Sequence, residues 1–366
     1  MKKQNPKEFH VWDFPDSIYV KFNEEYRKQL YQKLLSFYGS TRKIAKGLCG
    51  DLSTVTAIRR GYYYDGLEAY VNVKFVKIIV RTITETKKDI EKNIIAYKCK
   101  SGNLICNPIL PVKESPEVYN IISHLICDGS AGKGKSPYYG NTCKELRDEV
   151  KKNLQIFGTV EVNEYLMHTN VYGVMFPKAI SDILAHCFNV KFVYPEKFPE
   201  AIFESSEECK KTLIRALFDD EGCASAGVLV AISSSKNMLV QAREILRQLG
   251  IEETSITKGC NYYSLKVLAA GQKRFAKEIG LTHPEKQKRL LSFNLKRKVR
   301  ADSSVKVRED ILDFLKEPKT LKEIANMLGK KKGTTRIYLI ELREKGKVKH
   351  EMISPTQYWK WSRSNF

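Results

Sequence analysis

Two stretches of the 366-residue chain place an acid at the same point of the same local pattern. Residues 121–129 read Ile-Ile-Ser-His-Leu-Ile-Cys-Asp-Gly, and residues 214–222 read Ile-Arg-Ala-Leu-Phe-Asp-Asp-Glu-Gly. Each is an apolar helical stretch with a small residue, Ser123 or Ala216, at its third position, which lets two helix backbones approach closely. Each closes on an acid followed by glycine, the usual helix stop. Two such helices in contact would set the carboxylates of Asp128 and Glu221 side by side. Like charges at that range repel, and a helix C-terminus also disfavours an anion. A divalent cation between them, Mg2+ foremost, removes both penalties. It can also activate a water and stabilise a leaving oxygen, which is the chemistry of phosphodiester hydrolysis.

The elements that must position these acids repeat as well. Asp128-Gly129 recurs as Glu221-Gly222 at an offset of 93, Leu154–Gly158 recurs as Leu246–Gly250 at 92, and Asn170-Val-Tyr172 recurs as Asn261-Tyr-Tyr263 at 91. The expected order in each half is apolar helix, strand region, helix, paired strands, helix. Two halves of this kind can pack about a pseudo-two-fold axis, with the repeated acids meeting near it. The expectation is an α+β core over residues 113–300.

Both nonapeptides resemble the LAGLIDADG motif of homing endonucleases, aligned by the terminal acid-Gly. In that family two motif helices form the centre and flanking antiparallel sheets make a saddle over the DNA major groove. The last acid of each copy binds the catalytic metal. The resemblance therefore implies a site-specific double-stranded DNA endonuclease, with Asp128 and Glu221 as metal-binding and catalytic acids. One chain with two copies would act as a monomeric pseudo-dimer. The second copy matches closely. The first departs from the pattern, with His124 where Leu is expected and Ile126 where an earlier acid would stand, matched in copy two by Asp219. His124 is read as a helix-packing residue.

Composition agrees with a polyanion partner. Lys and Arg number 63 against 42 Asp and Glu, a net charge of +21. No apolar run reaches the length of a membrane span, and the N-terminus shows no signal-peptide core. The nine cysteines are scattered without a CxxC pair, which supports neither a disulfide framework nor a zinc ribbon. They read as reduced, mostly in apolar helical settings, in a cytoplasmic protein.

Within the core, the loop after Asp128 carries Lys133 and Lys135, and Lys258 and Lys266 flank or lie on the second half's paired strands. These are the expected DNA contacts. Lys178 and Lys266 are alternatives for a basic group near the scissile phosphate. Lys286 to Arg300 end the core on a basic, phosphate-contacting stretch. Residues 1–65 hold an amphipathic helix over 24–37, with Leu30, Leu34, Leu35 and Phe37 as its apolar stripe. A helix-turn-helix follows, whose second helix runs from Leu52 to Arg60 and ends on Arg59 and Arg60. Residues 66–112 read as a connecting region. Residues 303–366 read as a winged helix: Thr320 to Glu323 form a capping box, and Lys330, Lys331, Lys332 and Arg336 lead into the recognition helix. A second reading, from another functional class, is a non-cleaving DNA-binding regulator on the same scaffold.

Overall fold

Near the N-terminus, strands β1 (Glu8–Phe9) and β2 (Ile18–Phe22) lead into three helices, α1 (Glu24–Tyr38), α2 (Thr41–Gly47) and α3 (Leu52–Arg60). Asn23 and Ser40 cap the first two, each side-chain oxygen accepting a backbone N–H three residues on. The expected stripe of α1 is corrected at its end, because Phe37 is 58% exposed. The buried row runs Tyr26, Leu30, Leu34 at four-residue spacing, and Tyr38 continues it over Gly47 of α2, which turns Phe37 outward. There follow β3 (Val71–Asn72), α4 (Val73–Thr82), α5 (Lys87–Ile90), β4 (Ile94–Cys99), β5 (Ile105–Cys106) and β6 (Val112–Lys113), the last pairing with β1.

The computed structural model describes residues 6–48, 52–62, 68–83, 87–132, 135–167, 170–225, 227–252, 254–352 and 359–364, with backbone alone at 88, 293–304, 352 and 359. The Gly50-Asp51 turn and Lys133 lie outside the described residues.

The two halves expected from the sequence are built alike. The first is α6 (Pro116–Cys127), β7 (Gly129–Ser130), β8 (Tyr138–Asn141), α7 (Lys144–Leu154), β9 (Thr159–Val160), β10 (Asn163–Leu166), β11 (Tyr172–Met175) and α8 (Lys178–Cys187). The second is α9 (Glu207–Asp220), β12 (Gly222–Ser225), β13 (Val228–Ser233), α10 (Lys236–Gln248), β14 (Thr254–Lys258), β15 (Tyr263–Val267) and α11 (Ala269–Glu278). Their sheets run β7-β8-β11-β10 and β12-β13-β15-β14, the same antiparallel order twice. One strand leaves the symmetry. β9 pairs with β5 and completes a five-stranded sheet, β3-β2-β4-β5-β9. Strands of two residues need partners from elsewhere, so the stretches expected separately as 1–65 and 66–112 share this sheet with the first half. Residues 1–290 form one compact unit.

The second unit is residues 291–366. Helix α12 (Pro284–Phe314) runs into it, followed by β16 (Lys319–Thr320), α13 (Leu321–Met327), α14 (Lys332–Glu344), β17 (Val348–Met352) and β18 (Trp359–Arg363). The sheet order β16-β18-β17 behind these helices is the winged-helix arrangement. Thr320 and Glu323 form the reciprocal capping box at the start of α13. Ile311, Leu315, Ile324, Leu339, Leu342, Val348 and Trp361 make this unit's core.

Candidate functional site

Helices α6 and α9 pack directly on each other, and Ile121, Ile122, Leu125, Leu213, Ala216 and Leu217 along them are all buried. The small residue at the third motif position has a definite task, since Ser123 Oγ donates to the Leu213 carbonyl of α9 at 3.0 Å. The two helices end on Asp128 and Glu221, each the C-cap of its helix. The glycines that follow are required by close approach. A Cβ on Gly129 would stand 2.5 Å from Leu125 Cα, and one on Gly222 would run into the Phe218 carbonyl. Each chain segment can therefore fold straight back from helix into strand.

Both acids are held above the ordinary carboxylate range. Burial, then the charge of Asp220, raises Asp128 to about 6, partly offset by His124, Lys286 and the Asn141 amide. Burial, then Asp128 and Asp220, raises Glu221 to about 7, with Lys286 opposing. Asp128 Oδ2 accepts from Asn141 Nδ2 at 3.1 Å. Glu221 lines an open cavity of about 900 Å³ with Cys127, Ser130, Tyr194, Lys236 and Tyr263. Two crowded carboxylates, one of them facing open space, suit a hard divalent cation. No group of three or more His, Cys, Asp or Glu able to hold a metal occurs among the described residues. Any further donors would be backbone, water or ligand oxygens.

The three successive acids Asp219, Asp220 and Glu221 divide the work. Asp219, buried and raised to about 6 chiefly by that burial, accepts the backbone N–H of Thr282 at 3.0 Å and of His283 at 2.9 Å. Asp220 crosses to the first half. His124 Nδ1 lies 2.8 Å from its Oδ2, and Tyr139 Oη donates to its Oδ1 at 2.7 Å. Only Glu221 faces the cavity. Burial alone would lower the His124 pKa, but Asp220, and Glu149 at 3.9 Å from Nε2, reverse this and push it to about 10. The buried imidazole, bonded to Asp220 across the two halves, pins them together, consistent with a packing residue.

The basic residues expected at the site are not all brought to it. Lys178 is paired with Asp182 along α8 at 2.9 Å. Lys266 stands on β15 between Val230 and Ser255 of the neighbouring strands, and Lys258 is exposed at the end of β14. Lys135 is exposed beyond β7. Arg59 and Arg60 are exposed at the end of α3, in the N-terminal part of the same unit. In the second unit Lys330, Lys331, Lys332 and Arg336 are exposed before and along the first turns of α14. Lys236 shares the cavity with Glu221, and Lys286, at the end of α9, bonds the backbone carbonyls of Asp219 and Asp220. In sequence Lys286 stood out only as one of a run of lysines and arginines. Asp220 was marked by nothing but its place between two other acids.

The cysteines are free among the described residues. Several lie on strands (Cys99, Cys106, Cys223) rather than on helices, and Cys223 and Cys260 are exposed, which corrects the expectation of mostly helical apolar settings. No helix among the described residues is long and apolar enough to cross a membrane.

Residues 208–280 match the family model of a LAGLIDADG-like domain. No curated protein matches the chain. Among solved structures, the homing endonuclease I-DmoI is similar at 14% identity and a TM-score of 0.34, over 45% of this chain and 94% of that one. Full-length DUF199/WhiA from Thermatoga maritima is similar at 13% identity and a TM-score of 0.36, over 63% of this chain and 91% of that one. The matched segment opens on α9, carries Glu221 and spans the second half through α11. The chain carries a LAGLIDADG-like domain at residues 208–280, preceded by a first half of the same strand order.

Proposed function

We propose that this protein is a metal-dependent, site-specific endonuclease of double-stranded DNA, with Asp128 and Glu221 as its catalytic, metal-binding acids. The observation that carries the reading is the acid pair itself. Two carboxylates emerge from the ends of two packed helices, and both are raised by burial and by their acidic neighbours. Such a pair is costly to fold and has no structural benefit unless a cation joins it. A divalent ion, Mg2+ in the first instance, would supply a polarised water and charge stabilisation at the leaving oxygen. The chain's own residues do the positioning. Asn141 orients Asp128, Gly129 and Gly222 let the helix ends approach the sheets, and Asp220 with His124 fixes one half against the other. One chain supplies both halves, so the protein would act as a monomer on a pseudo-symmetric site. Lys135, Lys258 and Lys266 in the core, Arg59 and Arg60 at α3, and Lys330 to Lys332 with Arg336 at α14 would contact the duplex, with Lys133 adding to the loop after Asp128.

The test is incubation with a randomised plasmid library in Mg2+ or Mn2+, followed by sequencing of cut ends. Cleavage at a recurrent site supports the nuclease. A second reading, a non-cleaving DNA-binding regulator, is favoured by the exposed basic helices outside the repeats, α3 and α14. Selective retention of one DNA sequence without scission in either metal would establish it instead.

A further inference from the structure

We infer that Lys286 is the cationic member of the acid-pair site, delivered from outside both repeats and setting how tightly that site holds a divalent cation. This rests on the reading of Asp128 and Glu221 as a metal pair. The delivery is built from Asp219, whose two carboxylate oxygens accept the N–H groups of Thr282 and His283 and so tie the turn before α12 to the end of α9. Lys286 is the third residue of α12. Its ammonium bonds the carbonyls of Asp219 and Asp220, which lie among the last carbonyls of α9 and lack helical partners. A cation is favoured at that end of a helix. An ammonium has three N–H donors, and two carbonyls take two of them. The third is left for an oxygen of a ligand bound beside Glu221, the next residue. The ammonium thus stands against the backbone of the two residues immediately before Glu221. Neither lysine expected near the scissile phosphate shares the placement, since Lys178 is engaged by Asp182 and Lys266 lies out on the sheet.

The test is Mn2+ titration of the full chain without DNA, by calorimetry. Lys286→Gln keeps a donor for the carbonyls and removes the charge. Lys286→Arg keeps the charge, and Lys277→Met removes a charge from an exposed position on α11. Loss of one unit charge beside a divalent ion should tighten Mn2+ binding by about tenfold in Lys286→Gln, with Lys286→Arg within about threefold of wild type and Lys277→Met unchanged. The tightening should vanish in an Asp128→Asn background. Equal affinity of Lys286→Gln and wild type overturns the inference, as does equal tightening in Lys277→Met. Absence of Mn2+ binding by wild type overturns both this inference and the metal-pair reading. Tightening in Lys286→Gln by a protein that never cuts DNA upholds the inference while the nuclease reading fails.

Discussion

His124 and Asp220 meet across the two halves with Nδ1 and Oδ2 2.8 Å apart, and neither side chain is open to solvent, at 1% and 0% exposure. The first half contributes the imidazole and the second the carboxylate, so the pairing exists only when the halves are correctly docked. Tyr139 and Asn141 complete the surroundings of Asp220 from β8.

Replacing His124 by Leu, the residue at this place in the second motif, should leave the Asp220 charge buried without its cation. The expected loss is about 3–5 kcal/mol of stability, read by urea unfolding. His124→Leu combined with Asp220→Asn should recover at least about half of that loss, since the stranded charge is gone. A double variant as unstable as the sum of its parts would show that the two residues do not act as a pair.

Asp128→Asn or Glu221→Gln should abolish strand scission while leaving DNA affinity equal or tighter. Each change removes a metal ligand and also a negative charge facing phosphates. Single-turnover cleavage should fall by at least about a hundredfold, the scale of losing a principal electrostatic contributor to the reaction. Binding is read by gel shift in Ca2+. Loss of binding alongside cutting would place these acids away from the reacting phosphate.

Glu221 has a definite pH signature in the metal-free protein. Its folded pKa, about 7, lies above the ordinary 4.5, so folding favours the protonated acid. Its contribution is therefore fully present below pH 4.5, declines as pH rises, and is lost once pH passes 7. Glu221→Gln should consequently be no more stable than wild type near pH 4.5 and, by the same linkage, more stable at about pH 8. Denaturant midpoints at the two pH values measure this. A difference between the two proteins that stays constant with pH would mean that Glu221 titrates normally.

Neutralising Lys330, Lys331, Lys332 and Arg336 together should weaken DNA binding without moving the cut positions. The log–log salt dependence of binding should flatten by about 0.9 for each phosphate these side chains no longer neutralise. The acids that set the cut lie in the first unit, so the cleavage pattern should be retained. Unchanged affinity and slope would give α14 a protein partner instead, and displaced cut sites would locate target choice outside the repeats.

Local chemistry was enough for much of the fold and for the places of Asp128 and Glu221 at two helix ends. An apolar helix that ends on acid-Gly, a capping box at Thr320, and strands bounded by turns are encoded over a few residues, so the repeat and the winged helix were legible in the sequence. Asp128 and Glu221 could be picked out because each closes an apolar helix before glycine at the same point of a repeat. The sequence singled out Glu221 by its place before Gly222 but gave no partners to Asp219 or Asp220, its chemically near-equivalent neighbours. Only packing separates them, since partners 63 and 64 residues away claim Asp219, partners 96 and 81 residues away claim Asp220, and the cavity is left to Glu221. The same reason hid Lys286 in a run of basic residues and joined β9 to the N-terminal sheet. Which lysine reaches a site, and which edge a two-residue strand completes, are decided by where distant segments come to rest when the core closes.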